Sequence, residues 1–493
     1  MAILVFSQNV KLESLEKFSI LNDNNNIIIT PHFLFENERE FINKLFPNAK
    51  FYTFADFLTD EEMSAVDIMS YVLASNDYQK NLNNIRRYKN KIVINKVLNR
   101  FKTINQYILS DDLGIDETEW KKFGFKRLKG EYYYTAKNKK VNIKMLLKKI
   151  KPLKKVYDIF RSKRQKCMYN PEEISVGYYK GHKYVFIGKM NRIGYRFDIE
   201  FNQSQEECDR LNKGEYEEKD KCTYLTTWHE HWKCHVPDDL KYSVRWAQDG
   251  YLPPNYSHKD YQFKPNNVVY YCWDELGTGL FKNQELPYEL IPFRKKIFLP
   301  EPKFPETIKN ILIVASGSGD WTALKNRSDD DIMVDAFVNM AKKFPDINFT
   351  YRCHPTWVHP QNVGVNSINR VSEYFEWLKL PNLKLSSNIP NMKTKEGYQF
   401  SFSRSSLEED LENADFVFGE HSISMIDAGF KKIPFCSVNI TKRRNFFIGI
   451  NNLGFPVCTS HKEIEDMIKS STGKDFKEKY LEAIKNYNEM TKI

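Results

Sequence analysis

The sequence predicts an α/β protein with two domains, each built on a parallel β-sheet with helices on both faces. The first observation is size: the chain has 493 residues and is 41% hydrophobic, which is enough for more than one core. The second is the alternation of short apolar runs with amphipathic segments, which is typical of β–α–β units. The third is a proline-rich stretch at residues 291–305, which we interpret as the interdomain linker.

The N-terminal part begins with a β–α–β pattern. Apolar side chains at helical spacing predict a helix over residues 35–46. From about residue 61 to 101 the period is mostly helical, and we place a helical insertion at about residues 60–166. Strands and hairpins are predicted by short apolar or alternating runs at residues 2–7, 27–30, 50–54, 176–200, 244–247 and 268–273.

After the linker, strands and helices alternate regularly. Strands are predicted at residues 311–315, 348–353, 415–419 and 434–438. Helices are predicted at residues 329–344, 407–413, 422–430 and 461–490. We therefore place an N-terminal Rossmann-like domain at residues 1–300, a C-terminal Rossmann-like domain at 306–460 and a helical tail at 461–493.

The composition excludes several classes of protein. Gly and Pro number 20 each, which excludes collagen-like chains, and an aromatic share of 14% argues against disorder. No apolar run reaches the roughly 18 residues of a membrane-spanning helix. The N-terminus lacks the charged region of a signal peptide, so we expect a cytoplasmic protein whose eight cysteines are reduced.

The charge balance favours anionic partners. The 74 basic and 64 acidic residues leave a net charge of +10, which suits nucleotides, phosphorylated lipids or acidic glycans. The basic segment 137–166 predicts an amphipathic helix that can lie on the anionic inner face of the membrane, although a solvated helix with a core stripe fits the same pattern. A nucleic-acid-binding protein is the non-enzyme alternative. We do not expect it, because the basic residues concentrate in one segment and no RNA-binding motif is present.

Three polar clusters follow predicted strands of the C-terminal domain, where open parallel sheets bind their ligands. They comprise Ser316, Gly317 and Ser318; Arg352, His354 and Pro355; and His421, Ser422 and Ser424. A glycine loop lets backbone amides approach a phosphate, an arginine and a histidine can pair with one, and a helix start favours an anion. The alternatives are a simple turn, a structural histidine and ordinary helix capping. Together the clusters predict a nucleotide site.

Two aspartates follow predicted strands of the N-terminal domain. Asp249 lies in a Gln-Asp-Gly-Tyr sequence, and Asp274 begins an Asp-Glu-Leu-Gly sequence. Sugar transfer needs a carboxylate as base or nucleophile, although Asp-Gly is also a common turn.

A group of cysteines and histidines offers a competing interpretation. Cys222, His229, His231, Cys234 and His235 could hold zinc, but their spacing fits no common zinc finger. We therefore expect no metal, and we expect the aromatic segment around Glu230 to line a sugar cleft.

These motifs in chain order resemble the bacterial retaining β-Kdo transferases, which use CMP-β-Kdo to build capsule linkers or to cap O-antigen chains. The resemblance covers residues 240–440 in short motifs: Asp-Gly-Tyr-Leu, Asp-Glu-Leu-Gly, His-Pro, His-Ser-Ile-Ser and Lys-Ile-Pro-Phe. The His-Pro and serine motifs also recur in bacterial sialyltransferases, so CMP-sialic acid or another nonulosonate donor is the alternative. The resemblance implies a GT-B-like architecture, with the acceptor on the N-terminal domain, the CMP-sugar on the C-terminal domain and a cleft between them.

The resemblance also implies roles for individual residues. Asp249 matches the nucleophile, although Gln248 replaces a glutamate of the family's motif. His354 and Pro355 match the motif that holds the CMP phosphate and cytosine, and Ser422 and Ser424 match the hydroxyl pair on the phosphate. Asp274 matches a second acidic motif with a structural or donor-positioning role. The general base stays open among Glu230, which we name as the candidate, Glu173 and Glu200. Arg245 is a candidate for the Kdo carboxylate. No cofactor beyond the CMP-β-Kdo donor is implied, and the acceptor is a glycan or glycolipid.

Overall fold

The chain is an α/β protein with largely parallel sheets, as the sequence predicts. The computed structural model describes residues 2–5, 27–30, 34–59, 92–101, 106–110, 126–127, 133–137, 174–187, 200–213, 215, 217–218, 221–227, 244–247, 269–283, 285–293, 298–316, 329–354, 368–388, 403–420, 422–440 and 448–491.

The first sheet has six strands: β1 (Ala2–Val5), β2 (Ile27–Thr30), β3 (Lys50–Thr53), β4 (Gln106–Ser110), β5 (Lys126–Arg127) and β6 (Tyr133–Lys137). Its parallel part has the order β3-β2-β1-β4, a Rossmann-type order, with Ile3 opposite Ile27. Helix α1 (Glu36–Leu45) connects β2 to β3 as predicted.

Part of the predicted helical insertion is sheet. Residues 92–100 are helical, but β4, β5 and β6 also fall within residues 60–166. Strand β6 extends the sheet antiparallel to β4, and β5 pairs antiparallel with β6. The sequences QYILS and YYTAK are rich in the β-branched and aromatic residues that suit strands, so the helical assignment was wrong here.

The second sheet has seven strands: β7 (Ile174–Tyr179), β8 (His182–Ile187), β9 (Asn202–Gln203), β10 (Cys222–Thr227), β11 (Val244–Ala247), β12 (Val269–Cys272) and β13 (Tyr288–Leu290). Their order is β13-β12-β11-β10-β8-β7-β9, parallel from β13 to β8. The hairpin β7–β8 confirms the first predicted hairpin. Its turn residues Lys180 and Gly181 have φ of 49° and 82°, as a type I′ turn requires. The strand predicted next, before residue 200, lies outside the described residues.

Both faces of the second sheet are buried. Alternate residues of each strand point to opposite faces, and each face packs its own core cluster. One face packs Tyr224, Trp246 and Tyr270 among others, close to α2 (Gln205–Asn212) and α3 (Gly279–Asn283). The other packs Tyr184 and Trp273 among others. The described part of residues 1–300 therefore contains two sheets, whereas the sequence predicts one Rossmann-like domain there.

The segment after the linker supplies four parallel strands: β14 (Asn310–Val314), β15 (Asn348–Arg352), β16 (Leu383–Ser387) and β17 (Ser403–Arg404). Helix α4 (Asp329–Lys343) connects β14 to β15, and α5 (Ile368–Leu378) connects β15 to β16. Helix α6 (Leu407–Glu412) follows β17, and Ser406 caps it by accepting a hydrogen bond from the Glu409 amide. The strand and helix predictions in this segment are confirmed to within one or two residues.

The C-terminal part contains β18 (Phe416–Gly419), α7 (Ser424–Phe430), β19 (Phe435–Val438), α8 (Ile448–Asn451), β20 (Val457–Cys458), α9 (His461–Ser470) and α10 (Lys474–Met490). The predicted helical tail is confirmed as α9 and α10. Helix α10 packs into the fold: the Tyr480 hydroxyl accepts a hydrogen bond from the Phe435 amide at 2.9 Å. Asn488 bonds the amide and the carbonyl of Leu299 at 2.7 and 2.9 Å.

The chain divides into two compact units, each made of two segments. The first unit is Met1–Tyr157 with Lys309–Asn413, and the second is Asp158–Ile308 with Ala414–Ile493. In the first unit, Asp335 of α4 accepts hydrogen bonds from the Glu36 amide at 3.1 and 3.0 Å, which satisfies an open amide at the start of α1. The predicted domain boundaries at 1–300, 306–460 and 461–493 stay a prediction.

Candidate functional site

The first unit brings three predicted residues to one edge of a sheet. Strands β14 and β15 are parallel, and Val314 lies opposite Arg352, so their carboxyl ends meet. Ser316 lies two residues beyond β14, Arg352 ends β15, and His354 lies two residues beyond it. Ser316 and His354 are half-buried. Open α/β sheets bind ligands at this edge. Gly317, Ser318 and Pro355 lie outside the described residues.

Arg352 belongs to a buried polar network that the sequence analysis missed. Its side chain is 10% exposed, and its Nη1 lies 2.6 Å from Oδ2 of Asp410 in α6. The same nitrogen donates to Oγ of Ser386 at 3.2 Å and to the carbonyl of Ser405 at 3.1 Å. Ser405 donates to Oδ1 of Asp410 at 2.7 Å, and Ser386 donates to Oδ2. Such hydrogen bonding offsets the desolvation of a buried ion pair.

No signal in the sequence singles out Asp410. It stands in LEEDLE, where three neighbouring acidic residues would all suit the first turn of an exposed helix. Glu409 caps the helix by accepting from the Ser406 amide, which lowers the pKa of the Glu409 carboxyl. Only the approach of α6 to the ends of β15 and β16 turns Asp410 inward.

In the second unit, two strands that precede the predicted aspartates end at one sheet edge. Strands β10, β11 and β12 are parallel, so their carboxyl ends share an edge. Strand β11 ends at Ala247, two residues before Asp249, and β12 leads through Trp273 into Asp274. Asp249 and Glu230 themselves lie outside the described residues.

The serine motif begins its helix later than predicted. Helix α7 starts at Ser424 rather than Ser422 and has seven residues. The Ser422 hydroxyl accepts a hydrogen bond from the Ser424 amide at 3.3 Å, which is a local turn of the capping type. His421 lies outside the described residues.

The loop that carries this motif packs against the second sheet. Ile423, between the two serines, contacts the buried face that includes Ala247, Tyr271 and Trp273. The loop with Ser422 and Ser424 and strand β11 therefore belong to the same packed region of the second unit. In the sequence, Asp249 follows two residues after β11.

Asp274 and Arg245 already have structural partners. Asp274 is fully buried, and its Oδ1 accepts a hydrogen bond from the Gly277 amide at 2.9 Å, which caps the 3₁₀ turn Glu275–Thr278. Of the two roles left open for Asp274, this geometry favours the structural one. Arg245 lies 3.5 Å from Glu289 and over the Tyr271 ring, where burial raises the pKa of Tyr271 to about 12. Its contact with a sugar carboxylate stays a prediction.

The remaining candidates are exposed, buried in the core or outside the described residues. Glu200 is exposed, and Glu173 lies outside the described residues. Cys222 is the first residue of β10 and lies in the core, where burial raises the pKa of its thiol to about 11. Across the described ranges, no group of three or more His, Cys, Asp or Glu side chains is arranged to hold a metal ion. Within those same ranges, no helix combines the length and apolarity needed to cross a bilayer.

Comparison with known proteins leaves the family open. No family model and no curated protein matches the chain. Among solved structures, the chain is similar to UDP-GlcNAc 2-epimerase from Neisseria meningitidis bound to UDP-GlcNAc, at 9% identity and a TM-score of 0.31 over 98% of this chain and 94% of that one. It is also similar to the glycosylation-associated protein (Gap123) complex from Streptococcus agalactiae, at 10% identity and a TM-score of 0.29 over 100% and 98%. Both TM-scores are too low to support a conclusion about fold or function.

Proposed function

We propose that the protein is a retaining glycosyltransferase that moves Kdo from CMP-β-Kdo to a bacterial surface-glycan acceptor. The observation that carries the proposal is the packing of Ile423 against the sheet face that includes Ala247. It associates the loop expected to hold the donor phosphate with the strand expected to carry the nucleophile.

The proposed reaction is a double displacement. The Asp249 carboxylate attacks the anomeric carbon, the bond to the CMP phosphate oxygen breaks, and its electron pair leaves with CMP. The acceptor hydroxyl then attacks the glycosyl-enzyme, and Glu230 takes its proton. Because CMP leaves as an anion, the transition state needs charge stabilisation, for which we propose His354, Arg352 and the helix start near Ser422. The proposal requires no metal ion. We further propose a cytoplasmic enzyme whose basic segment 137–166 contacts the anionic membrane surface near a glycolipid acceptor.

A nucleotide screen tests the donor class. We expect CMP to raise the melting temperature well above the values measured with UMP, ADP or GDP. At 100 times its dissociation constant, a ligand adds about 2.7 kcal/mol to the free energy of unfolding. An equal response to all four nucleotides would contradict a cytidylate donor.

Mass spectrometry tests the nucleophile. Incubation with CMP-Kdo should give a sugar adduct on Asp249 in the native protein and none in Asp249→Asn. The control is Asp466→Asn, which changes an exposed carboxylate of α9 paired with Lys462 and should keep full turnover. Full turnover by Asp249→Asn would refute the assignment. Turnover of CMP-sialic acid but not of CMP-Kdo would establish the alternative donor.

A further inference from the structure

We propose that Arg352 has two roles: Nη1 is an anchor held by Asp410, Ser386 and Ser405, while Nη2 and Nε bind a phosphate-bearing anion at the carboxyl edge of β14 and β15. This inference rests on the proposed function, because the CMP moiety of the donor is the anion we expect there. It assigns to Asp410 the role of a positioning residue.

The anchor engages only one nitrogen of the guanidinium. The ion pair and both neutral hydrogen bonds of Arg352 all use Nη1. Each Asp410 oxygen also accepts a serine hydroxyl, so the carboxylate is itself fixed in position. If the ion pair only held α6 against the sheet, a bidentate contact between both carboxylate oxygens and two guanidinium nitrogens would be the more stable arrangement.

The rest of the guanidinium remains available to a ligand. A guanidinium carries five N–H donors. Among the described residues, Nη2 and Nε of Arg352 have no hydrogen-bond partner. In the part of the chain that the structure describes, neither atom is completely buried, although the side chain is only 10% exposed. The arginine is therefore held rigidly with a pair of donors open, which is the geometry that suits bidentate binding of phosphate.

The surroundings favour an anion despite the charge of Asp410. His354 lies two residues beyond Arg352, and Ser316 follows the neighbouring strand, so an imidazole and a hydroxyl share this edge. Because Asp410 balances the formal charge of Arg352, affinity must come from oriented hydrogen bonds more than from net charge. The orientation of the guanidinium therefore decides whether the ligand binds.

Arg352→Lys separates this role from a purely structural one. A lysine can keep the ion pair with Asp410, but it has one nitrogen, which that pair occupies. It therefore lacks the two further nitrogens that would bind the anion. Arg352→Met would leave a buried carboxylate unpaired and could prevent folding, so lysine is the informative variant. The matched control is Lys183→Arg. Lys183 is a similarly buried cation in the second unit, 2.7 Å from both Glu207 and Glu217.

Calorimetric titration with CMP, cytidine and inorganic pyrophosphate tests the proposal. We expect Arg352→Lys to keep the wild-type urea midpoint and to weaken CMP binding roughly tenfold or more, since hydrogen bonds to charged groups are the strong ones. Lys183→Arg should bind CMP as the wild type does, and cytidine should bind weakly to every variant. Pyrophosphate should compete with CMP in the wild type and not in Arg352→Lys.

The possible failures are distinguishable. Wild-type CMP affinity in Arg352→Lys would overturn the inference and leave the proposed donor intact. Pyrophosphate binding that depends on Arg352, in a protein that does not prefer CMP, would support the anion site and contradict the CMP donor. If the wild type binds neither CMP nor pyrophosphate, the inference is wrong.

Discussion

Replacing Tyr480 by phenylalanine tests how strongly helix α10 stabilises β19. The Tyr480 side chain is 1% exposed, and its hydroxyl accepts the Phe435 amide at 2.9 Å. The substitution removes this acceptor but keeps the ring, which packs edge-on against Phe455 at 5.3 Å. A buried amide without a partner costs about 1–3 kcal/mol, so we expect the free energy of unfolding to fall by that amount. The melting temperature should fall by roughly 2–4 °C per kcal/mol.

The same variant has a predictable pH dependence. Burial raises the pKa of Tyr480 well above its usual 10.0, because the ionised form is disfavoured in the fold. The stabilisation is therefore fully present below about pH 10 and is lost as the pH rises, because the unfolded chain ionises first. The wild-type advantage over Tyr480→Phe should shrink above that pH, by up to about 1.4 kcal/mol per pH unit.

Urea unfolding followed by circular dichroism, at pH 7 and at pH 10.5, measures both effects. Tyr178→Phe is the control, because Tyr178 is 63% exposed and its hydroxyl should contribute little. An unchanged midpoint for Tyr480→Phe at pH 7, or an equal loss in Tyr178→Phe, would refute the reasoning.

Three further substitutions test contacts in the second unit by urea unfolding. Gly429→Ala in α7 would place a Cβ 2.8 Å from Cδ2 of Leu299, so we expect the free energy of unfolding to fall by about 1–3 kcal/mol. Unchanged stability would show that the Leu299 side chain moves aside freely. Asn488→Ala removes both hydrogen bonds to the Leu299 backbone, and a loss of roughly 1–3 kcal/mol is expected; a neutral result would mean that water replaces them. Asp274→Ala removes the cap on the Gly277 amide, so the free energy of unfolding should fall by about 0.5–2 kcal/mol while the affinity for CMP stays unchanged. Weaker CMP binding at full stability would reveal a donor-positioning role.

Most regular elements could be predicted because their signal is local. The strand at residues 311–315 is continuously apolar, and it was found as Asn310–Val314 with four buried residues. The helix at residues 329–344 has the period of a buried amphipathic helix, and it was found as Asp329–Lys343. The segment 60–166 was assigned wrongly where it forms strands, because β4 and β6 acquire their hydrogen bonds from each other and from β1. Such distant pairing leaves little periodicity in the sequence.

The candidate site was partly predictable for the same reason. Ser316, Arg352 and His354 were identified because each follows an apolar run, and parallel strands bring their carboxyl ends to one edge. Asp410 was not identified, because it reaches Arg352 from a helix 58 residues away in the chain. The helix start assigned to Ser422 was two residues early, because its hydroxyl bonds the Ser424 amide before the helix begins.

The sequence by itself determined the α/β class, most strand positions and the residues at the ends of those strands. These features depend on the spacing of apolar residues along the chain, which is a property of neighbouring residues. Tertiary structure alone decided that the described strands of residues 1–300 form two sheets, that Asp274 is a buried cap, and that one nitrogen of Arg352 is held by Asp410. Those outcomes depend on which distant groups meet in a low-dielectric interior, where an ion pair or a cap forms only if the fold supplies its partner.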